Sequence, residues 1–227
     1  MIIASFLILI GISCEKSADT GIALSFKGET SALKSTSNSG SFTFSEAMIG
    51  VHEIEIEMET EEEDGESEME TEIEYEFEGP YAVDLLSGVS DPEIGLAELI
   101  PGNYNELEAE ISPILDGGTK SVIIKGSYTD TNQETVDFEF STASEIELEV
   151  ESDAGFYLDE GTILELVVTF DLAMLFDGVD FASAEKNDMG VVIMDDSHNV
   201  ELTNKVKSNI SQYAEIEDDD EQEKDDD

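Results

Sequence analysis

Polar and apolar residues alternate along two neighbouring stretches of the chain, residues 52–60 and 68–78. Most polar positions in both stretches are glutamates, and most positions between them carry apolar side chains. Because successive side chains of a β-strand point to opposite faces, each stretch predicts a strand with one apolar and one carboxylate face. The intervening segment contains Asp64-Gly65, a strong signal for a β-hairpin turn. Residues 106–110 and 145–151 repeat the same acidic alternation.

Other short stretches with strand-like patterns follow at intervals of roughly 8–15 residues, as in an all-β sandwich. They are residues 21–27, 41–44, 81–86, 104–111, 122–128, 136–140, 145–150, 163–170 and 191–194. A helix is predicted after Asn199, its N-cap, because Leu202, Val206 and Ile210 recur at intervals of four residues. Many short strands and one late helix favour a mainly β fold, an antiparallel β-sandwich with one C-terminal helix.

The domain organisation follows from these patterns. We predict that residues 21–215 form the β-sandwich domain, with a division into two subdomains near residues 152–162 as the alternative. Residues 216–227 consist mostly of Asp and Glu, and we predict an acidic disordered tail there. A block of like charges repels itself and has little apolar surface to bury.

The N-terminus carries an apolar run, residues 2–10, which is too short to span a bilayer as a permanent helix. The only cysteine of the chain, Cys14, lies just beyond this run. This order is typical of a secretory signal peptide, although no Lys or Arg precedes the run. We predict a signal peptide over residues 1–13 and a lipidated tether over residues 14–20. The alternative is a free cysteine beside a short apolar strand.

The segment Gly11-Ile12-Ser13-Cys14 resembles the lipobox of bacterial lipoproteins, in which small residues precede the cysteine that receives the lipid. The resemblance implies two or three acyl chains on Cys14, which anchor a protein durably where a single chain does not. Residues 15–19 resemble the acidic export tag that places Bacteroidetes lipoproteins on the outer surface. We therefore expect a lipid-anchored protein of the outer membrane that faces the cell surface.

The charge of the chain narrows the classes of partner. There are 57 acidic residues against nine lysines, no arginine, and a formal net charge of −48 at pH 7. Such a chain repels phosphate polyanions, which excludes nucleic acid as a direct partner. Cations, neutral sugars, peptides and other proteins remain as partners.

The carboxylate faces have two interpretations. One is a solvated sheet face that keeps the protein soluble and blocks edge-to-edge pairing. The other is loose calcium binding, since Ca²⁺ takes six to eight oxygen ligands. The candidate ligands are Glu55, Glu57, Glu72 and Glu74. We expect no cofactor apart from such calcium, and we expect crowding to raise the pKa of these glutamates in the folded state.

The chain carries no recognisable catalytic signature. His52 and His198 are far apart in sequence, and we interpret His198 as a surface-turn residue and His52 as an exposed strand residue. No glycine-rich phosphate loop, nucleophile elbow or zinc signature occurs. We therefore expect no enzymatic activity. A glycan-active enzyme with paired carboxylates is the least favoured alternative.

Several segments resemble an uncharacterised all-β domain family of Bacteroidetes lipoproteins, over roughly residues 20–215. The likeness lies in Ser41-Phe42-Thr43-Phe44, Ile49-Gly50-Val51 and residues 79–86, 99–104 and 168–172. It implies an immunoglobulin- or transthyretin-like sandwich on a lipid anchor, with no established activity. We expect a non-catalytic binding or scaffolding module that contacts the membrane through its N-terminal lipid and acts with an envelope protein. The alternative is a calcium-dependent, adhesin-like or cation-binding module.

Overall fold

The structure, a computed structural model, describes residues 20–29, 40–62 and 69–218. The predicted signal peptide, Cys14 and the Asp64-Gly65 turn lie outside the described residues. The described chain is mainly β, with one α-helix, α1 (Val200–Gln212), and a short 3₁₀ helix, Met174–Phe176. Its strands are β1 (Gly21–Glu29), β2 (Ser41–Glu62), β3 (Met69–Asp84), β4 (Val89–Asp91), β5 (Leu96–Glu98), β6 (Gly102–Ile111), β7 (Val122–Thr129), β8 (Thr135–Thr142), β9 (Ile146–Leu158), β10 (Ile163–Asp171), β11 (Val192–Met194) and β12 (Ala214–Asp218).

The strands form a smaller and a larger sheet. The smaller sheet has the order β12-β10-β1-β5, and the larger has the order β11-β8-β7-β2-β3-β4. The long strand β2 also pairs with β6, which in turn pairs with β9. Bulges between Phe44 and Glu46 and between Val51 and Glu53 divide β2. Its first part pairs with β7 and its last part with β6, so β2 connects two halves of the larger sheet.

Both sheets are mixed, so the predicted antiparallel arrangement holds for most strand pairs but not for all. β1 pairs in parallel with β10, and β8 pairs in parallel with β11. Parallel partners require long connections rather than tight hairpins, which is why local sequence patterns give no sign of them. The predicted mainly β class and the single C-terminal helix are confirmed.

One hydrophobic core joins the two sheets. β1 contributes Ile22, Leu24 and Phe26, which lie beside buried residues of β10 because the two strands share a nine-residue register. Full burial of such a side chain stabilises the fold by about 1.5–3 kcal/mol. An aromatic cluster, with ring centroids of contacting pairs 4.7–6.4 Å apart, fills one region of this core. Its members are Phe42, Phe44, Tyr128, Phe138, Phe140, Phe176 and Phe181.

Helix α1 begins where the sequence predicts it, but Asn199 does not cap it through its side chain. Asn199 is left-handed, with φ of 46°, and has no side-chain cap hydrogen bond. Its Oδ1 accepts from the N–H of Glu185, and its Nδ2 donates to the carbonyl of Ile193 at 2.7 Å. Asn199 therefore ties the start of α1 to the segment before it. The helix buries Val206 and Ile210 against the core.

The strands bear on two features of the predicted domain organisation. β12 extends to Asp218 and pairs with β10, so the first residues of the predicted disordered tail belong to a strand. The rest of that tail, residues 219–227, lies outside the described residues. The alternative division near residues 152–162 falls on β9 and the turn before β10. Residues before and after it, such as Leu148 and Leu166, belong to the same core cluster.

Candidate functional site: the carboxylate lattice

Glutamates from four adjacent strands stand in rows across one face of the larger sheet, and we term these rows the carboxylate lattice. The strands lie side by side in the order β3-β2-β6-β9. Each row joins residues that are register partners across the sheet. The rows are Glu78, Glu53, Glu110 and Glu147; Glu76, Glu55, Glu108 and Glu149; and Glu74, Glu57 and Glu106.

The apolar residues between these glutamates fix the register of the lattice. Ile54 and Ile56 of β2 and Leu107 of β6 are at most 1% exposed and belong to the core. A slip of one residue in any of these strands would turn its glutamates into the core and its apolar side chains into water. The packing of the apolar side chains on the inner face therefore determines which glutamates lie side by side on the outer face.

The carboxylates of the lattice lie close together. Cross-strand neighbours on one face have Cβ atoms about 5 Å apart, and same-face neighbours along a strand lie about 7 Å apart. Two groups of three glutamates each place one carboxylate oxygen per residue within 4.8 Å of the others: Glu53, Glu55 and Glu76, and Glu106, Glu108 and Glu149. A shallow groove of about 150 Å³ runs between β2, β6 and β9. Its walls are Glu53, Glu55, Glu108, Ala109, Glu110, Glu147, Leu148 and Glu149.

Glu55 occupies the middle of the lattice, and its environment disfavours the charged form. Partial burial raises the pKa of its carboxyl, and repulsion from four neighbouring glutamates raises it further. Those neighbours are Glu53, Glu108, Glu74 and Glu76, in order of decreasing effect. Crowding therefore adds to the raised pKa of Glu55, as the sequence predicts, but burial is the larger cause.

The structure brings together only some of the glutamates that the sequence suggested as calcium ligands. Glu55 and Glu57 lie in successive rows of β2, and Glu74 is the register partner of Glu57. Glu72 pairs with Glu59, and its side chain lies outside the described part of the structure. Glu55 instead forms a group with Glu53 and Glu76.

Sequence reasoning missed the contribution of β6 and β9 to the lattice. The acidic alternation of residues 106–110 and 145–151 was the available signal. It did not say that these strands would pair with β2 and with each other. Chemically, the lattice offers clustered, solvent-accessible carboxylate oxygens, the ligand type that hard cations such as Ca²⁺ prefer.

Neither histidine belongs to the two groups of three carboxylates. His52 is exposed at the bulge of β2. The Nδ1 atom of His198 lies 3.0 Å from Oδ1 of Asp195, with the imidazole largely exposed. Burial acts to raise the pKa of Asp195, but hydrogen bonds from Ser197 and His198 outweigh it and lower the pKa. The interpretation of His198 as a surface-turn residue is confirmed.

A larger groove, of about 620 Å³, lies on the larger sheet near β7 and β8. Its floor includes the apolar side chains of Met48, Ile123 and Ile193. At its wall, Nζ of Lys125 lies 2.7 Å from Oε2 of Glu46. The hydrogen bond from this ammonium to Glu46 holds the pKa of Lys125 above its usual range. The remaining charged lining is Asp116, Lys120, Glu139 and Asp195, so carboxylates outnumber ammonium groups here as well.

The fold and the lattice together define an acidic, mainly β domain with clustered surface carboxylates. Residues 37–178 match the family described as Domain of unknown function (DUF4382), and the chain belongs to this family. No match is found among curated proteins or among solved structures. The matched span contains the whole lattice but not β1, α1 or β12. In the described part of the chain, no helix has the length and apolar character needed to cross a membrane.

Proposed function

We propose that the chain is a non-catalytic binding or scaffolding module of the cell envelope, anchored to the outer membrane by lipid on Cys14 and facing the cell surface. The observation that carries the proposal is the place of Cys14 between an apolar run and the folded domain. Cys14 lies six residues before Thr20. Thr20 is already bonded into the fold, because the N–H of Gly161 donates to its Oγ1 at 2.7 Å and the N–H of Leu99 donates to its carbonyl.

This arrangement is what a lipidated tether requires. The residues between Cys14 and Thr20 are too few to form a further domain, and they connect the acceptor cysteine directly to β1. Under the proposal, the domain is a sandwich of immunoglobulin or transthyretin type, and its partner is another envelope protein. The lattice keeps the exposed sheet face solvated and prevents unwanted sheet pairing.

Fractionation of cells that express the full chain tests this proposal. The wild-type protein should sediment with the outer membrane and enter the detergent phase of a Triton X-114 partition. Cys14→Ser should abolish both properties, because serine has no thiol to receive the lipid. Ser13→Ala is the matched control, since it changes the neighbouring residue and leaves the cysteine. Retention of Cys14→Ser in the detergent phase would contradict the lipid anchor.

Calcium binding is the second candidate, and the two groups of three glutamates favour it. Calorimetric titration of the mature chain with CaCl₂ in 0.15 M NaCl distinguishes it from scaffolding alone. A calcium module should release or take up heat and melt at a higher temperature with calcium. The double variant Glu55→Gln/Glu108→Gln, which changes one member of each group, should lose both effects. Glu93→Gln, on the exposed segment between β4 and β5, should keep them. Absence of heat and of any melting shift in the wild type would end the calcium proposal.

A further inference from the structure

Three large apolar side chains are exposed at the end of the smaller sheet where β1 begins. Ile163 is 50% exposed, Leu96 is 43% exposed and Ile100 is 48% exposed. We term these three residues the apolar rim. All of them lie close to the point where the chain enters the fold from Cys14, which sets them apart from exposed apolar residues elsewhere.

Strand register, hydrogen bonds and one side-chain contact place the rim around the first residues of the domain, 20–23. Ile163 is the register partner of Gly21 in β10. Leu96 leans over Gly21 from β5, since a Cβ added to that glycine would lie 3.2 Å from Cδ1 of Leu96. Ile100 follows Leu99, whose N–H donates to the carbonyl of Thr20 at 3.2 Å. The rim is therefore joined to the first residues of the domain by both sheet pairing and hydrogen bonds.

Covalent geometry limits how far the rim can be from lipid attached to Cys14. Thr20 lies six residues after Cys14, so six peptide units connect the two Cα atoms. Fully extended, such a segment spans at most about 20–22 Å. The opposite end of the nine-residue strand β1 lies about 26 Å further away. That far end is next to Leu85, whose carbonyl accepts from the N–H of Gly28.

We propose that the apolar rim contacts the surface of the lipid bilayer in which the lipid on Cys14 is anchored. The end of the domain that carries the rim then faces the membrane. The inference rests on the proposed lipid anchor and adds the membrane-facing surface to it. Large apolar side chains at a membrane interface insert among the headgroups and the upper acyl chains. The opposite end of the smaller sheet then points away from the bilayer.

The charged residues near the rim indicate which kind of lipid surface the rim can contact. Glu98, Asp159 and Glu160 are exposed at the same end of the domain as the rim. Their carboxylates are repelled by anionic lipids, whose surface potential is negative. The cationic ammonium group of a zwitterionic headgroup attracts these carboxylates instead. The surface that fits the rim is therefore a zwitterionic bilayer, and anionic lipid should weaken the contact.

The chain contains no tryptophan, so single substitutions give position-specific fluorescence. We would couple the mature chain through Cys14 to maleimide lipid in phosphatidylcholine vesicles and quench with brominated phosphatidylcholine. Ile163→Trp and Ile100→Trp should show blue-shifted emission and lose most of their intensity to the brominated lipid. Val89→Trp is the matched control: Val89 is 63% exposed and pairs with Asp84, next to Leu85. Its emission should stay unchanged.

Equal quenching of all three variants, or quenching of none, would overturn the proposal, provided that each melts like the wild type. A blue shift of the rim variants that depends on protein concentration but not on bromination would also overturn it, because a second copy would then cover the rim. Added phosphatidylglycerol should reduce the quenching. Since coupling supplies the lipid chemically, a negative result here contradicts the rim alone. The fractionation of Cys14→Ser tests the lipid anchor itself, independently of the rim.

Discussion

Replacing Glu55 by glutamine removes one charge from the middle of the carboxylate lattice and preserves the size of the side chain. Glu76 and Glu108 are its cross-strand partners. Glu53 is its same-face neighbour along β2, and Glu74 lies diagonally across from it on β3. At about 5 Å directly across the sheet and about 7 Å along it or diagonally, the four repulsions total about 3 kcal/mol in unscreened water. Screening lowers this total to about 1.4 kcal/mol at 0.15 M salt and to about 0.4 kcal/mol at 1 M.

The sign of the pH dependence follows from the raised pKa of Glu55. Below the unfolded pKa of about 4.3 the carboxyl is protonated in both states and repels nothing. Stability is lost as pH rises through the higher folded pKa, because ionisation is harder in the folded chain. Glu55→Gln should therefore be more stable than wild type at pH 8 by about 1.4 kcal/mol, which raises the melting temperature of a domain of this size by about 3–6 °C. At pH 4 the advantage should vanish.

Thermal melts and urea unfolding of the mature wild type, Glu55→Gln and Glu93→Gln check this prediction. The measurements are needed at pH 8 in 0.15 M and 1 M NaCl, and at pH 4, with EDTA present throughout. Glu93→Gln should unfold like the wild type, because Glu93 lies outside the lattice. The electrostatic reasoning is refuted if Glu55→Gln gains no stability at pH 8, or if its gain is undiminished at 1 M salt.

Three further predictions concern the fold. Asn209→Ala should lower the free energy of unfolding, measured in urea, by about 2–3 kcal/mol. The reason is that the buried Nδ2 of Asn209 donates to the carbonyls of Leu175 and Asp177. An unchanged urea midpoint would argue against that role. Lys125→Gln should cost less than about 1 kcal/mol in the same assay, since its ion pair is partly exposed; a loss above about 2 kcal/mol would contradict this. A chain that starts at residue 40 lacks β1 but retains nearly all of the family match. It should show no cooperative thermal transition by circular dichroism. A sharp transition would show that β1 is dispensable.

Local patterns were sufficient to predict the strands whose partners are near in sequence. The acidic strands β2 and β3 pair antiparallel, as alternation around Asp64-Gly65 predicted. β7 and β8 also pair antiparallel across a short connection. In both cases the apolar face and the short loop leave few other partners. Helix α1 was equally predictable from the spacing of its apolar residues.

Long-range pairing was not predictable in this way. β1 lies between β5 and β10, and nothing in its own sequence distinguishes a parallel from an antiparallel partner. The lattice has the same origin, because β2, β6 and β9 share nearly the same acidic alternation and any two of them could have paired. In the observed order, Leu107 of β6 and Leu148 of β9 are both buried in the common core. Asn199 illustrates the point for a single residue, since tertiary hydrogen bonds replaced its expected cap.

Mass spectrometry of the N-terminal peptide, from protein purified out of the envelope fraction, tests the proposed anchor most directly. We predict that the peptide begins at Cys14 and carries a diacylglyceryl group on the thiol, with or without a further acyl chain on the amine. A peptide that retains residues before Cys14, or one whose Cys14 thiol is free, would contradict the account.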